Sequence, residues 1–270
     1  MRNRLSNATL NQLPKSVLRP TYNRAKVTPG ILHFGVGAFH RSHQALTIDR
    51  LLEKGLANDW GIVGVGLLAN DFKMRDALIP QDCLYTLITK HADGKQDFQV
   101  IGSIIDYLFA PDSPAKVIEK LIDPAIRIVS LTITEGGYSF DRATGEFDPN
   151  TPGVKEDVKD STKPVSAFGF IYEGLKKRKA LGIPAFTIQS CDNIQGNGDV
   201  AKKMMVAFAK IKDPEFATWM EKEVAFPNSM VDRITPVTAP EDIALAEKGS
   251  GLSEIGRHTS ELQSRLHLVC

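Results

Sequence analysis

A short apolar run, Ile31 to Phe34, breaks into Gly35-Val36-Gly37 and gives way to apolar residues at helical spacing, Ala45, Leu46, Ile48, Leu51 and Leu52. This passage restricts the fold more tightly than any other. Gly55 suits the end of that helix, and Trp60 to Leu67 (W-G-I-V-G-V-G-L) reads as a second buried strand. Two buried strands joined through a helix form a βαβ crossover, which requires parallel pairing.

Further strands are expected at Tyr85 to Lys90, Phe98 to Ile104, Arg127 to Thr134 and Ala185 to Ser190, with helices near Pro114 to Leu121 and Ala167 to Leu181. Alternation of this kind predicts an α/β fold, a Rossmann-like, mostly parallel sheet with helices on both faces. With 270 residues, 42% hydrophobic and 24% charged, the chain can bury a large core without cross-links. Residues 1–248 read as one dinucleotide-binding domain. The segment from Tyr138 to Lys163, rich in Asp, Gly, Pro, Thr and Lys, reads as turns that flank a site. From Asn197 the pattern is helical, interrupted at Pro214 and again from Pro227 to Pro236. Residues 249–270 lack a periodic core face and are expected to be poorly ordered.

A net charge of +1 provides no field for nucleic acid or an anionic membrane, so the expected partner is a small molecule. No apolar run approaches the roughly 20 residues of a membrane span, and the N-terminus lacks the apolar core of a secretory signal. Cys83, Cys191 and Cys270 are odd in number and widely spaced, which argues against a disulfide framework and for a reducing compartment. A cytoplasmic location is the expectation.

Gly35 to His40 lies where a strand passes into a helix, so bare backbone and helix N–H groups can approach a pyrophosphate; an ordinary tight turn would give the same pattern. Asp71 follows the second strand, where a carboxylate accepts from ribose hydroxyls and repels a 2′-phosphate, favouring NAD over NADP; a helix cap is the plainer alternative. His40 and His43 stand three apart with no third ligand nearby, which argues against a metal. Tyr172 and Lys176 satisfy the Y-x-x-x-K pair of short-chain dehydrogenases, but the glycine pattern of that group is missing. Ser190 to Asp199 is polar and glycine-rich directly after an apolar strand, where ligands bind in parallel sheets. Asn193 there can donate to a reacting oxygen without titrating, unless it or Asp192 merely caps the next helix.

Four segments in order, H-F-G-V-G-A-F-H-R-S-H-Q-A, S-L-T-I-T-E-G-G-Y, S-C-D-N-I-Q-G-N-G-D and F-P-N-S-M-V-D-R-I-T-P, resemble the polyol-specific long-chain dehydrogenases, with the mannitol 2-dehydrogenases the nearest branch. The resemblance runs from about Asn7 to about Lys248. It implies that Phe34, Gly35, Val36, Gly37, Ala38, Phe39, His40 and Arg41 hold the NAD pyrophosphate and Asp71 the adenosine ribose. It further implies that Asn193 helps hold the reacting oxygen, that Asp232 is an active-site carboxylate, and that the reaction interconverts D-mannitol and D-fructose. Glu135 falls in a matched segment without an implied role.

Family members continue into a helical domain carrying K-x-x-x-x-N-x-x-H, whose lysine is the general base; that motif does not occur in these 270 residues. Loss of a general base costs on the order of 100- to 10,000-fold in rate. The alternative expectation is therefore a catalytically silent dinucleotide-binding fragment, or a partner of a full-length homologue that associates through the uncovered domain face.

Overall fold

The computed structural model describes residues 3–91, 93–141, 143–231, 235 and 240–253, and the backbone of 259–262. After a short strand β1 (Val17–Leu18), the βαβ unit runs through β2 (Pro29–Phe34), α1 (Ala38–Ser42), α2 (Gln44–Glu53) and β3 (Gly61–Gly66). Helix α3 (Phe72–Leu78) leads into three successive strands, β4 (Tyr85–Lys90), β5 (Gln96–Ile101) and β6 (Ile104–Phe109). The second half contains α4 (Pro114–Ile122), β7 (Ile128–Leu131), α5 (Val154–Lys159), α6 (Ala167–Ala180), β8 (Thr187–Ser190), α7 (Asn197–Lys212) and α8 (Pro214–Glu223). Helix α9 (Pro240–Ser250) and strand β9 (Thr259–Leu262) follow.

Five strands form a wholly parallel sheet in the order β6-β3-β2-β7-β8. Because both faces are covered, the strands are apolar on both sides. Leu32, Phe34, Val65, Val129, Leu131 and Ile188 pack with α4, α6, α7 and α8, whereas Ile31, Ile62 and Ile104 pack with α2 and α3. The strand order reverses between β2 and β7, which opens a crevice beyond their carboxyl ends.

The expected architecture holds, but two strands sit elsewhere. Tyr85 to Lys90 and Phe98 onward belong to a second sheet, order β1-β5-β4-β9, in which β4 and β5 pair antiparallel. The third strand of the parallel sheet is β6, which was not expected: the run Phe98 to Ile104 covers most of β5 and stops at the first residue of β6. Gly102 and Ser103 turn the chain from one sheet to the other. Gly102 N–H donates to Asp49 Oδ1 at 2.9 Å, and Ser103 Oγ donates to the Ala45 carbonyl at 2.7 Å, so the corner is anchored on α2.

Asp49 is buried and also receives Tyr22 Oη at 2.6 Å and Gln99 Nε2 at 3.2 Å, joining three segments at one carboxyl group. Burial raises its pKa, opposed in part by the Tyr22 hydrogen bond. A carboxyl group whose pKa is raised by folding binds more protons folded than unfolded, so its contribution to stability falls as pH rises above the ordinary carboxylate range. Asp49→Asn is therefore expected to flatten that fall, while Asp49→Ala, which strands three donors, costs about 3 kcal/mol. Urea unfolding at pH 5 and pH 8 checks both.

Candidate functional site

Gly35 ends β2 in a conformation that a side chain would not tolerate. Its φ is +90°, and a Cβ there would overlap the Thr132 carbonyl oxygen at the end of β7. Its N–H donates to Val65 O at 3.1 Å, and its carbonyl receives Gly37 N–H at 2.6 Å and Thr132 Oγ1 at 2.6 Å. His33 Nε2 lies 3.1 Å from the same carbonyl and 3.0 Å from Thr132 Oγ1. The turn is thus fastened to β3 and β7 before α1 begins.

Beyond this turn lies a cleft of about 900 Å³. One wall is Gly35 to Ala38 with Arg41, Asp71, Met74 and Tyr107; the other is Thr132 to Thr134, Gly136 and Gly137, with Gly153 and Ser166 behind. Arg41 is the one cation and Asp71 the one anion among the lining residues. Arg41 is buried, donates to the Val36 carbonyl at 3.2 Å, and has the Tyr85 ring 5.8 Å away. Asp71 Oδ2 accepts the N–H groups of Leu67 and Leu68, both at 2.9 Å, so the carboxylate braces the turn after β3 and makes no side-chain cap to α3. Gly37 and Gly136 leave space in the cleft: a Cβ at Gly37 would meet only Gly35 O, at 3.8 Å, and one at Gly136 nothing within 4 Å.

Three of the expected pyrophosphate residues lie outside this lining. Phe34 is fully buried in the core, Phe39 stacks on His43 at 5.0 Å, and His40 stacks on His33 with centroids 3.5 Å apart. Burial pushes His33 down to about 3, and burial with the neighbouring His33 and Arg41 holds His40 well below the usual imidazole range. Both rings are neutral supports beneath the turn. Among the described residues no group of three or more His, Cys, Asp and Glu side chains is arranged for a metal ion.

The wall formed by the loop after β7 was not legible as such in the sequence. Thr134 has φ +63° and ψ 167°, a region essentially reserved for glycine, where a side chain costs on the order of 1–3 kcal/mol. Asp192, just after β8, meets the strained segment: Oδ1 accepts Thr134 N–H at 2.9 Å, and Oδ2 accepts Ile133 N–H at 3.0 Å and Tyr138 Oη at 2.8 Å. Neither Asp192 nor Asn193 caps the next helix. Asn228 does so, its Oδ1 accepting Gly198 N–H at 2.8 Å, while Asn197 ties α7 to Ser229. Gly198 allows this approach, because a Cβ would stand 2.5 Å from the Pro227 carbonyl oxygen.

Asn193 itself is exposed at the end of β8, outside the cleft lining. Glu135 opens a short 3-10 turn after Thr134. Asp232 lies outside the described residues. Tyr172 and Lys176 do not form a catalytic pair. Tyr172 is 2% exposed, packs edge-on against Phe208 and Phe216, and lies outside the cleft lining. Burial pushes its hydroxyl up to about 12, opposite to what an acid–base tyrosine needs.

The mannitol dehydrogenase Rossmann domain model matches residues 29–260. The chain belongs to the mannitol dehydrogenase family. Among solved structures in that family, the ternary complex of Pseudomonas fluorescens mannitol 2-dehydrogenase with NAD and D-mannitol superposes with a TM-score of 0.92 at 44% identity, covering 96% of this chain and 52% of that one. A substrate-free D-sorbitol dehydrogenase gives 0.90 at 44% identity, covering 96% and 54%. The Gluconobacter oxydans relative named polyol:NADP oxidoreductase is 45% identical over 252 residues, covering 93% of this chain and 52% of its own length. Aspergillus fumigatus mannitol 2-dehydrogenase is 49% identical over 233 residues, covering 85% and 46%. The chain thus spans about half the length of these mannitol dehydrogenase relatives.

Two substitutions separate the cleft from the rejected pair. Gly35→Ala is expected to lower stability by at least about 2 kcal/mol, measured by urea unfolding, since it combines positive φ with backbone overlap. Tyr172→Phe is expected to leave NADH affinity unchanged within twofold by fluorescence titration, an aromatic exchange in a core that the cleft does not reach.

Proposed function

We propose that this chain is the dinucleotide-binding part of an NAD-dependent polyol oxidoreductase that interconverts D-mannitol and D-fructose. The observation that carries this reading is the cleft at the β2/β7 crevice, with a glycine turn, one buried guanidinium and one carboxylate along its wall. The residues fit a dinucleotide. Gly37 and Gly136 leave backbone accessible, Arg41 matches the charge of a pyrophosphate, and Asp71 retains Oδ1 for ribose hydroxyls after Oδ2 is used by the turn. The same carboxylate disfavours a 2′-phosphate, which is the basis for NAD over NADP. Phe34, Phe39 and His40 are assigned to support beneath the turn.

When bound, the nicotinamide gives or takes the hydride. Asn193, which follows Asp192 in the chain, supplies an amide donor to the reacting oxygen, and the family resemblance makes Asp232, outside the described residues, an active-site carboxylate. The surface around Asn193, Phe226 and Met230, the last 73% exposed, is the face proposed to meet a partner. Residues 1–248 form the cofactor domain in this reading. No described helix is long and apolar enough to cross a membrane, and the buried free thiols of Cys83 and Cys191 fit a cytoplasmic setting.

The test combines calorimetry with a mannitol oxidation assay on the 270-residue chain. NADH is expected to bind at least about tenfold more tightly than NADPH, and Asp71→Ser to narrow that gap to within a few-fold, since it removes an acceptor and a repulsive charge. Equal affinities in the unaltered chain would sink the NAD assignment. NADH binding without mannitol turnover would leave the chain a cofactor-binding part whose chemistry requires groups from elsewhere.

A further inference from the structure

Asp192 closes a ring of hydrogen bonds on itself. Its backbone N–H donates to Ser190 Oγ at 3.4 Å, Ser190 Oγ lies 2.6 Å from Tyr138 Oη, and Tyr138 Oη donates to Asp192 Oδ2 at 2.8 Å. With the tyrosine proton committed to the carboxylate, the serine proton must point to the tyrosine oxygen, so every donor in the ring runs in one direction. The carboxylate keeps acceptor capacity for the N–H groups of Ile133 and Thr134, and it takes both. The Asp192 carbonyl in turn accepts Asn197 Nδ2 at 3.1 Å, which ties the residue to the start of α7. The three residues of the ring, Asp192, Ser190 and Tyr138, are buried, and the two backbone N–H donors belong to residues that line the cleft.

We infer that Asp192 is a positioning residue for the cofactor: it holds Ile133 and Thr134 in the strained conformation that shapes the β7 side of the cleft. The inference rests on the dinucleotide reading above. Thr134 cannot keep φ +63° and ψ 167° through its own preference; its N–H and that of Ile133, both given to Asp192, fix the peptide planes on either side of Ile133 Cα, and its carbonyl, which accepts Gly137 N–H at 3.0 Å, fixes the plane that follows Thr134 Cα. Asparagine at this position would present an N–H₂ group to one of those donors, which leaves a backbone N–H unpaired and frees Thr134 to relax. Asp71 and the β3 end of the cleft lie on the other side of β2 in the sheet, so they are not tied to this clasp. The defect should therefore be confined to one half of the ligand.

The experiment measures Kd for NADH and for 5′-AMP, a probe of the adenosine half alone, with the unaltered chain and Asp192→Asn. NADH is expected to bind about tenfold more weakly to the variant, while 5′-AMP binding stays within twofold. Adding Thr134→Gly, which tolerates the strained conformation without the clasp, is expected to restore part of the NADH affinity. Tyr138→Phe keeps the aromatic packing but opens the ring; it should give the same split at smaller size, and it serves as the readout if Asp192→Asn does not fold. Equal losses for both ligands, or unchanged NADH affinity, would overturn the inference while leaving the dinucleotide reading intact. An unaltered chain that binds neither ligand overturns that reading and the inference with it.

Discussion

The contact between Gly35 and the end of β7 is the constraint on which the rest of the molecule depends. The Gly35 N–H is given to β3 through Val65, and its carbonyl is taken by Thr132 and by Gly37. One residue without a side chain thereby fixes the distance between the three central strands at their carboxyl ends. The position of α1, the width of the cleft and the start of the β7 loop follow from it. Any larger residue pushes β2 and β7 apart, and the crevice that the strand order creates loses its floor.

Below that floor the sheet carries a row of residues in register across all five strands: Tyr107, Gly64, His33, Ser130 and Gln189. The row is polar at its centre yet carries no charge, since burial depresses the pKa of His33 to about 3. His33 Nδ1 lies 2.8 Å from Ser130 Oγ, which also reaches Gln44 on α2 at 3.0 Å. Neutral, paired groups in this layer avoid the desolvation cost of buried ions. They also leave the electrostatic character of the cleft to the two charged residues on its wall, Arg41 and Asp71.

The βαβ unit and its glycine turn were legible because strand, glycine and helix signals sit within 40 residues of chain and depend only on local conformation. The hairpin β4–β5 and strand β6 were less so. Their apolar patterns resemble those of the parallel strands, and only the anchoring of Gly102 and Ser103 on α2 decides which sheet each joins. Of the residues that motif and place single out for the cofactor, Gly35, Val36, Gly37, Ala38, Arg41 and Asp71 line the cleft, whereas Phe34, Phe39 and His40 do not. Thr134 and Asp192 were not found, because a positive φ at a threonine and a carboxylate that clasps a loop 58 residues away leave no pattern in the chain. Asp192 was weighed only as a cap, a role that falls to Asn228.

The pairing of β2 with both β3 and β7 has a consequence for how the molecule comes to exist. β3 follows β2 closely, but the other edge of β2 waits for residues 128–131, and Thr132 Oγ1 reaches Gly35 across 97 positions. At roughly 5–20 residues per second, a ribosome needs about 5–20 s to make that interval. During it β2, buried from Gly30 to Phe34 in the finished sheet, has one open edge, and open strand edges are templates for unwanted pairing. In a nascent chain β2 therefore keeps one edge without its native partner until β7 has been made.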